Sequence, residues 1–562
     1  MMSPAVNPVA RIWNLVRREK AEITAVYFYA VLAGIIQLSL PVGIQSIINF
    51  VLGGSMSASL VILIILVVTG VTVTGIIYIN QMKLIEKIQQ KIFVRYAFDF
   101  AEHLPKIDLQ KADAFYLPEL VNRFFEIPIL QKGLSKLLID IPTATIQILF
   151  GLLLLSLYHP AFILFGILLL LILAVILYYT GSKGLRSSLA ESSYKYSVAA
   201  WLEELARVVK SFKLSRGTSL HLKKTDDRTM GYLHARTVHF SVLLFQYRLL
   251  VILKTIITAA MLLVGSFLLI NQQLNIGQFI AAEIVILIVI SAVEKLITTL
   301  DNVYDVLTSV EKIGILTDKP MEITGTQPVS SANRGLTLEL VDVAFQFNKA
   351  RNVFGKISFK AAAGEKICLS GQEGSGKSTL LKLLSGIYTD FSGSILIDGI
   401  PLRNYNLDSL RSVTGFFISR QDIFHGTLKE NITMGDPLAD IEEISALAAK
   451  IGLGSFISMQ KYGYDTELDP VGNHLPGNVI RKILLLRALI RRPRLLLLEE
   501  PWEGFPAKLQ RRMQDFLLQE IPNCTVLVIS NDHDFAARCD KVIYLDSNET
   551  KVIVNTKTTG RE

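Results

Sequence analysis

The nine residues Gly371-Gln372-Glu373-Gly374-Ser375-Gly376-Lys377-Ser378-Thr379 have the types and spacing needed to hold a chain of phosphates. They satisfy the pattern G-x-x-x-x-G-K-[ST], in which glycines let successive backbone N–H groups converge on one anion. Lys377 adds a point charge for the β- and γ-phosphates, and the Ser378 hydroxyl can ligate Mg²⁺. A plain glycine turn with a solvated lysine would explain neither the Ser-Thr pair nor the strand that precedes the loop. A second pair, Glu499-Glu500, closes the apolar run Leu495-Leu496-Leu497-Leu498. Carboxylates at the end of a strand beside a phosphate loop can hold Mg²⁺ through water and accept a proton from an attacking water. The bland alternative for that pair is an acidic strand cap.

Such a loop works only when a strand delivers it to the positive end of a helix. Lys366–Ser370 reads as that strand and Leu380–Leu384 as the helix. From Leu336 onward, short strand-like runs alternate with helical ones, which predicts an α/β domain over 336–562. The stretch 318–335 is rich in Thr, Ser, Pro and Gly and reads as a linker.

Residues 1–317 have a different character. Apolar stretches occur at Ile23–Val51, Leu60–Ile79, Leu137–Leu157, Ala161–Tyr179, Ile256–Ile270 and Ile276–Val293. Most approach the roughly 20 residues that cross about 30 Å of hydrocarbon; the fifth is short unless it begins near Val242. The loops at Gly53–Ser57, His159-Pro160 and Asn271–Asn275 carry no Lys, Arg, Asp or Glu, whereas the N-terminus (Arg11, Arg17, Arg18, Lys20) and the segments 82–134 and 180–240 are rich in Lys and Arg. By the positive-inside rule both termini are cytosolic. The long segments are helical in pattern, for example Glu86–Phe100 and Ser192–Phe212, and should extend the membrane helices into the cytosol. No small-residue cleavage site follows the first span, which reads as an anchor.

Bulk numbers agree with one membrane half and one soluble half. The 562 residues are 51% hydrophobic with a formal charge of +8, and the mean hydropathy is +0.43. Cytoplasmic loops of a membrane protein account for the positive excess, so no nucleic-acid partner is expected. Cys368, Cys524 and Cys539 have neither metal-ligand spacing nor a disulfide framework and read as structural.

Three polar features interrupt the spans. Pro41 and Gln45 lie one turn apart on one face, either as a kink with a hydrogen-bonded amide or as part of a translocation path. Lys254 falls near the cytosolic interface, where its stem can snorkel. Glu283 lies roughly 10 Å into the last span, where a carboxylate must be paired, protonated or in a water-filled cavity.

With these motifs in place, residues 336–562 resemble the nucleotide-binding domain of ABC transporters, and the six-span part resembles their exporter-type membrane domain. The implied fold is a six-helix α-helical transmembrane domain plus an α/β P-loop cassette, with ATP and Mg²⁺ as ligands. The resemblance implies that Phe347 stacks on adenine, that Gln421 senses Mg²⁺ and the membrane domain, that Glu500 polarises the attacking water, and that Glu499 takes the place of a Mg²⁺-side aspartate. It also implies coupling helices near Tyr116–Arg123 and Ala200–Val208.

The departures matter as much. The family signature Leu-Ser-Gly-Gly-Gln aligns with Leu475-Pro476-Gly477-Asn478-Val479. In the family this segment contacts the γ-phosphate bound to the opposite cassette. Pro476 removes a hydroxyl and an N–H, and Asn478 puts a side chain where close backbone approach is needed. Asn531 replaces the switch histidine, with His533 two residues on, and Pro506 replaces the aspartate of the dimer-contact loop. The cassette is therefore expected to bind ATP well and to hydrolyse it poorly as a homodimer.

Three readings follow. One is an exporter half that dimerises; its first span, Leu40-Pro41 then Gln45, resembles the toxin and peptide exporters, which implies a periplasmic adaptor partner. The stretch before Ile23 leaves no room for the protease-like domain many of those carry. The second is a degenerate subunit of a heterodimer with another half-transporter. The third is an ATP-sensing membrane regulator without transport. The resemblance implies a bacterial inner-membrane protein with its nucleotide domain in the cytosol.

Overall fold

The computed structural model describes residues 7–54, 58–112, 116–215, 217–347, 351–418, 421–469, 475–545 and 550–554, so Arg420 and the end of the first short loop lie outside it. The chain separates into two units, residues 1–105 with 115–319, and residues 106–114 with 320–562.

The first unit is all helix. A short helix α1 (Pro8–Arg18) opens with the Asn7 side chain accepting from the N–H of Val9 and with proline at its first position, where a missing N–H costs nothing. The first span is two helices, α2 (Lys20–Gln37) and α3 (Ser39–Leu52). Pro41 explains the break, because the N–H it lacks is the one that would bond the carbonyl of Gln37. Next come α4 (Ala58–His103), α5 (Leu109–Ala112, which belongs to the second unit), α6 (Leu117–Val121) and α7 (Glu126–Tyr158). The unit ends with α8 (Ala161–Arg207), α9 (Val209–Leu214), α10 (Leu220–Ile270) and α11 (Ile276–Thr317).

Among the described residues, six stretches are long and apolar enough to cross a membrane. At 46, 47, 51 and 42 residues, α4, α8, α10 and α11 far exceed the bilayer's need and run on through the Lys- and Arg-rich segments. The fifth span gains its length because α10 starts at Leu220. One expectation changes. Residues 200–207 are the last turns of α8, held by an Arg207–Glu204 ion pair and by Trp201 bonded to Thr225 at 3.0 Å. The separate short helix at that turn is α9.

Small residues let the helices close up, since a Cβ on Gly151 or Gly133 would sit 2.6 or 2.5 Å from Val289 or Val306. Polar groups then pin α11 to its neighbours: Ser188 with Thr308 at 2.8 Å, and Gln246 donating to Tyr304 at 3.0 Å. The buried Glu126 accepts from Lys195, Tyr196 and Ser309 at 2.7–2.8 Å. Gln45 accepts from the Tyr158 hydroxyl at 2.7 Å, and Lys254 pairs with Glu294 at 3.0 Å.

The second unit is built on two sheets. Strands β1 (Leu338–Phe347), β2 (Arg351–Ala361), β4 (Ser392–Ile397) and β5 (Ile400–Pro401) form an antiparallel sheet in the order β2-β1-β4-β5. The second sheet uses β3 (Lys366–Gly371), β6 (Thr414–Phe417), β9 (Leu495–Glu499), β10 (Thr525–Ile529), β11 (Lys541–Leu545) and β12 (Thr550–Val554) in the order β12-β11-β3-β10-β9-β6. It is parallel except for β12. The helices of this unit are α12 (Lys377–Leu384), α13 (Leu407–Ser412), α14 (Leu428–Thr433), α15 (Ile441–Lys450), α16 (Gly454–Met459), α17 (Gly477–Leu489), α18 (Ala507–Gln519) and α19 (His533–Arg538). The central strands of the second sheet are continuous apolar runs because both faces are covered, one by α12 with the antiparallel sheet and the other by a core that includes α17, α18 and α19. A two-residue pair, β7 (Gly426–Thr427) with β8 (Glu467–Leu468), completes the unit.

Residues 320–335 lie along this unit: Glu322 takes a two-pronged bond from Arg411 at 2.6 and 2.7 Å. Gln110, the second residue of α5, accepts from the N–H groups of Thr389 and Asp390.

Candidate functional site

Strand β3 runs between β11 and β10 and ends at Gly371, which has φ +145° and no room for a Cβ (2.2 Å from the Leu545 carbonyl oxygen). Gly376 has φ +90° and would bring a Cβ to 2.4 Å from the Phe354 ring, so only glycine makes this turn into α12. Inside the loop Ser375 is 5% exposed, yet its hydroxyl has no hydrogen-bond partner. A buried hydroxyl left without a bond is costly, and in a loop of this shape a phosphate oxygen is the group that would satisfy it.

Lys377 begins α12, and its ammonium donates to the carbonyls of Gly371 and Gln372, both at 2.7 Å. Burial holds its pKa below the usual lysine range, against the attraction of Glu500, Glu373 and Glu499. The next residue, Ser378, donates its hydroxyl to Glu499 at the end of β9. The extra methylene of Glu499 therefore does not stop the carboxylate from reaching the serine, and the two oxygens suit a hard cation such as Mg²⁺. Glu500 adopts φ +44°, a rare conformation for a non-glycine residue, and its N–H bonds the Ile529 carbonyl at 3.0 Å. Burial raises its pKa first, with Glu503 adding to the effect, while Lys377 and Arg481 oppose it. A half-buried carboxylate with a raised pKa, next to a phosphate loop, has the character of a general base.

The remaining predicted residues fall at the rim. Phe347 ends β1 and meets Phe345 and Tyr388 edge to face, at 4.9 and 5.9 Å between ring centres. Gln421 turns its side-chain oxygen to the N–H of Ile418 at 3.3 Å. Asn531 lies 3.3 Å from the Ser370 hydroxyl, beside the loop entrance, while His533 is the first residue of α19 and exposed. Leu475 packs on the core, and Pro476 is the N-cap of α17 without any side-chain capping bond. Gly477 and Asn478 are exposed at the start of that helix. Thr379 lies in the first turn of α12, and Gln372, Glu373 and Gly374 form the loop crest.

One residue was not anticipated. Arg481, in the second turn of α17, donates to the backbone carbonyl of Glu500 at 2.6 Å and to the Glu503 carboxylate at 3.0 Å. It ties the signature helix to the strained backbone of the candidate base. Two opposite charges 22 residues apart were the available signal, but nothing local in the sequence joins them.

Family models match both units. The ABC transporter model matches residues 354–503, and the ABC transporter transmembrane region matches residues 23–293. A multidrug efflux ATP-binding/permease protein of Mycobacterium tuberculosis is 33% identical over 239 residues, 42% of this chain and 20% of that protein. An ATP-dependent lipid A-core flippase of Burkholderia orbicola is 31% identical over 281 residues, 50% of this chain and 47% of that one. The alpha-hemolysin translocation ATP-binding protein of Escherichia coli O157:H7 is 26% identical over 350 residues, 62% of this chain and 49% of that one. The matched stretch thus spans between a fifth and about half of these relatives' own lengths. A bacterial Atm1-family ABC exporter solved with ATP bound has the same fold, with TM-score 0.83 and 19% identity over 96% of this chain and 95% of that one. With a phosphate loop and paired carboxylates in one unit, six membrane-length helices in the other, and a matching family model on each, the chain belongs to the ABC transporter family and has the build of an exporter half-molecule.

Proposed function

We propose that this chain is the ATP-binding half of a dimeric exporter that moves a substrate outward across a bacterial inner membrane. The observation that carries the proposal is the Lys377, Ser378, Glu499 and Glu500 arrangement on a chain that also holds six membrane-length helices. In this reading Phe347 stacks on adenine, residues 371–379 cradle the phosphates, and Ser378, Gln421 and Glu499 form the Mg²⁺ side. Glu500 activates water, and Asn531 stands in place of the switch histidine. Leu475, Pro476, Gly477 and Asn478 face the nucleotide held by the other half. Relatives named for a multidrug, a lipid and a toxin substrate support export as the common activity and leave the cargo open. A periplasmic adaptor belongs to the toxin-exporter version of the proposal.

The test is nucleotide binding and ATPase of the full chain in lipid, compared with Lys377→Ala and Glu500→Gln. Loss of binding in the first and retained binding with lost turnover in the second support the proposal. Equal behaviour of all three proteins sinks it.

The heterodimer reading has its own observation, the N-cap Pro476, which offers a phosphate neither hydroxyl nor N–H. Losing two such donors costs about 1.5–3 kcal/mol each. Turnover by the chain alone should therefore be slow and should rise at least tenfold in the double variant Pro476→Ser, Asn478→Gly. A high basal rate, unchanged by those substitutions, would exclude a crippled signature.

A further inference from the structure

Within the six apolar stretches read from the sequence, Asp, Glu, Lys and Arg occur only twice, as Asp140 and Glu283. The structure treats them differently. Asp140 has a counter-ion in its own chain, Lys295 at 2.8 Å. Two charges that border the stretches, Lys254 and Glu294, pair with each other. Glu283 has no ion pair among the described residues, and its buried Oε1 makes no hydrogen bond. It sits seven residues into α11, about 10 Å along the helix, so water at the membrane surface is not at hand. Its neighbours on the chain, Ala281, Ala282, Val285 and Ile286, are fully buried and apolar. On its own face, one turn to either side, are Ile280 and Leu287, and Leu287 is 58% exposed.

A carboxylate at membrane depth is paired, protonated or in water, and this chain supplies a positive partner for Asp140 but none for Glu283. A partner from outside the chain would hold it charged, and the exposed apolar surface beside it suits a molecule that is part cation, part hydrocarbon. We propose that Glu283 anchors the positive group of the transported substrate, which makes that substrate an amphipathic organic cation. The proposal rests on the export reading above and narrows its substrate class.

The test uses the full chain in lipid nanodiscs, with tetraphenylphosphonium as the probe and tetraphenylborate as an anion of the same shape. Saturable binding of the cation above that of empty discs is expected, weakened at least tenfold by Glu283→Gln and largely kept by Glu283→Asp. ATP binding, measured on the same samples, should be equal in all three, which shows that the variants are folded. Tetraphenylborate should show no dependence on residue 283. Equal cation affinity in wild type and Glu283→Gln overturns the proposal, since the carboxyl is then neutral or met by a second copy. Absence of saturable cation binding overturns it as well. Movement is read separately, in inside-out vesicles from cells making the chain with its natural partner. ATP-driven uptake of the cation by wild type and Glu283→Gln alike defeats this inference and leaves export standing. Binding that needs Glu283 without ATP-driven uptake defeats export and leaves the cation site standing.

Discussion

One side chain can act with opposite sign on stability and on nucleotide binding, as Ser375 does, or act on the chemistry through a neighbour's backbone, as Arg481 does. The Ser375 hydroxyl is buried with nothing to bond, which costs about 1–3 kcal/mol in the nucleotide-free protein. Replacing it by alanine should therefore raise the melting temperature of the nucleotide-free chain and lower its affinity for ATP several-fold. Thermal unfolding with and without ATP reads both signs at once, and a variant less stable in both conditions would show that the hydroxyl has a partner. Arg481 acts through the backbone of Glu500. Its bond to that carbonyl is charge-assisted and worth about 1.5–3 kcal/mol, while its pair with the exposed Glu503 is worth less than about 1 kcal/mol, so Arg481→Ala should lower kcat about tenfold or more while KM for ATP holds. Glu503→Ala removes only the outer bond and should cost less than threefold. A KM that rises with the fall in kcat would make Arg481 a binding residue and not a positioning one.

Elements place these residues, and the sequence exposes the elements unevenly. Gly371–Thr379 was readable because strand, loop and helix are consecutive. The Ser378–Glu499 contact joins residues 121 apart, and it exists because β9 lies parallel to β10, which lies parallel to β3. The break at Leu38 follows from Pro41 by the rule of the missing N–H, whereas the start of α10 was hidden because its polar and apolar halves form one uninterrupted helix. Caps are local and so are legible in principle, and one of them carries charge. Asp532 accepts from the N–H groups of Asp534 and Phe535 at the start of α19, and from the amides of Gln510 and Gln514 at 2.7 Å. Burial pushes its pKa up, but the Phe535 N–H and the two glutamine amides outweigh it and hold the carboxyl below the usual range. A depressed native pKa stabilises the fold above the unfolded value of about 3.9, and that contribution fades as pH falls through the native value. Asp532→Ala should then cost about 1–2 kcal/mol at neutral pH, with the gap to wild type narrowing below about pH 4. Unfolding curves of the two proteins across that range test the sign, and a gap that widens in acid contradicts it.

For the whole molecule, the six spans were legible because hydrocarbon demands long apolar runs, while direction across the membrane rests on charge alone. Basic residues crowd the N-terminus and the segments 82–134 and 180–240, and the loop at Asn271–Asn275 has no charge. The positive-inside rule then puts that loop outside and the turn at Ser215 in the cytosol. The protein is well suited to a labelling test, because Cys368, Cys524 and Cys539 are all buried. Burial raises the thiol pKa of Cys368 and of Cys524 to about 12, which leaves almost no thiolate at neutral pH. Exposed positions at Gln273 and Ser215 can each take a new cysteine without disturbing a core. In intact cells a membrane-impermeant maleimide should label Gln273→Cys and spare Ser215→Cys, and permeabilised cells should label both. Labelling of Ser215→Cys alone in intact cells would invert the topology, place the nucleotide unit away from cytosolic ATP and remove the ground for ATP-driven export.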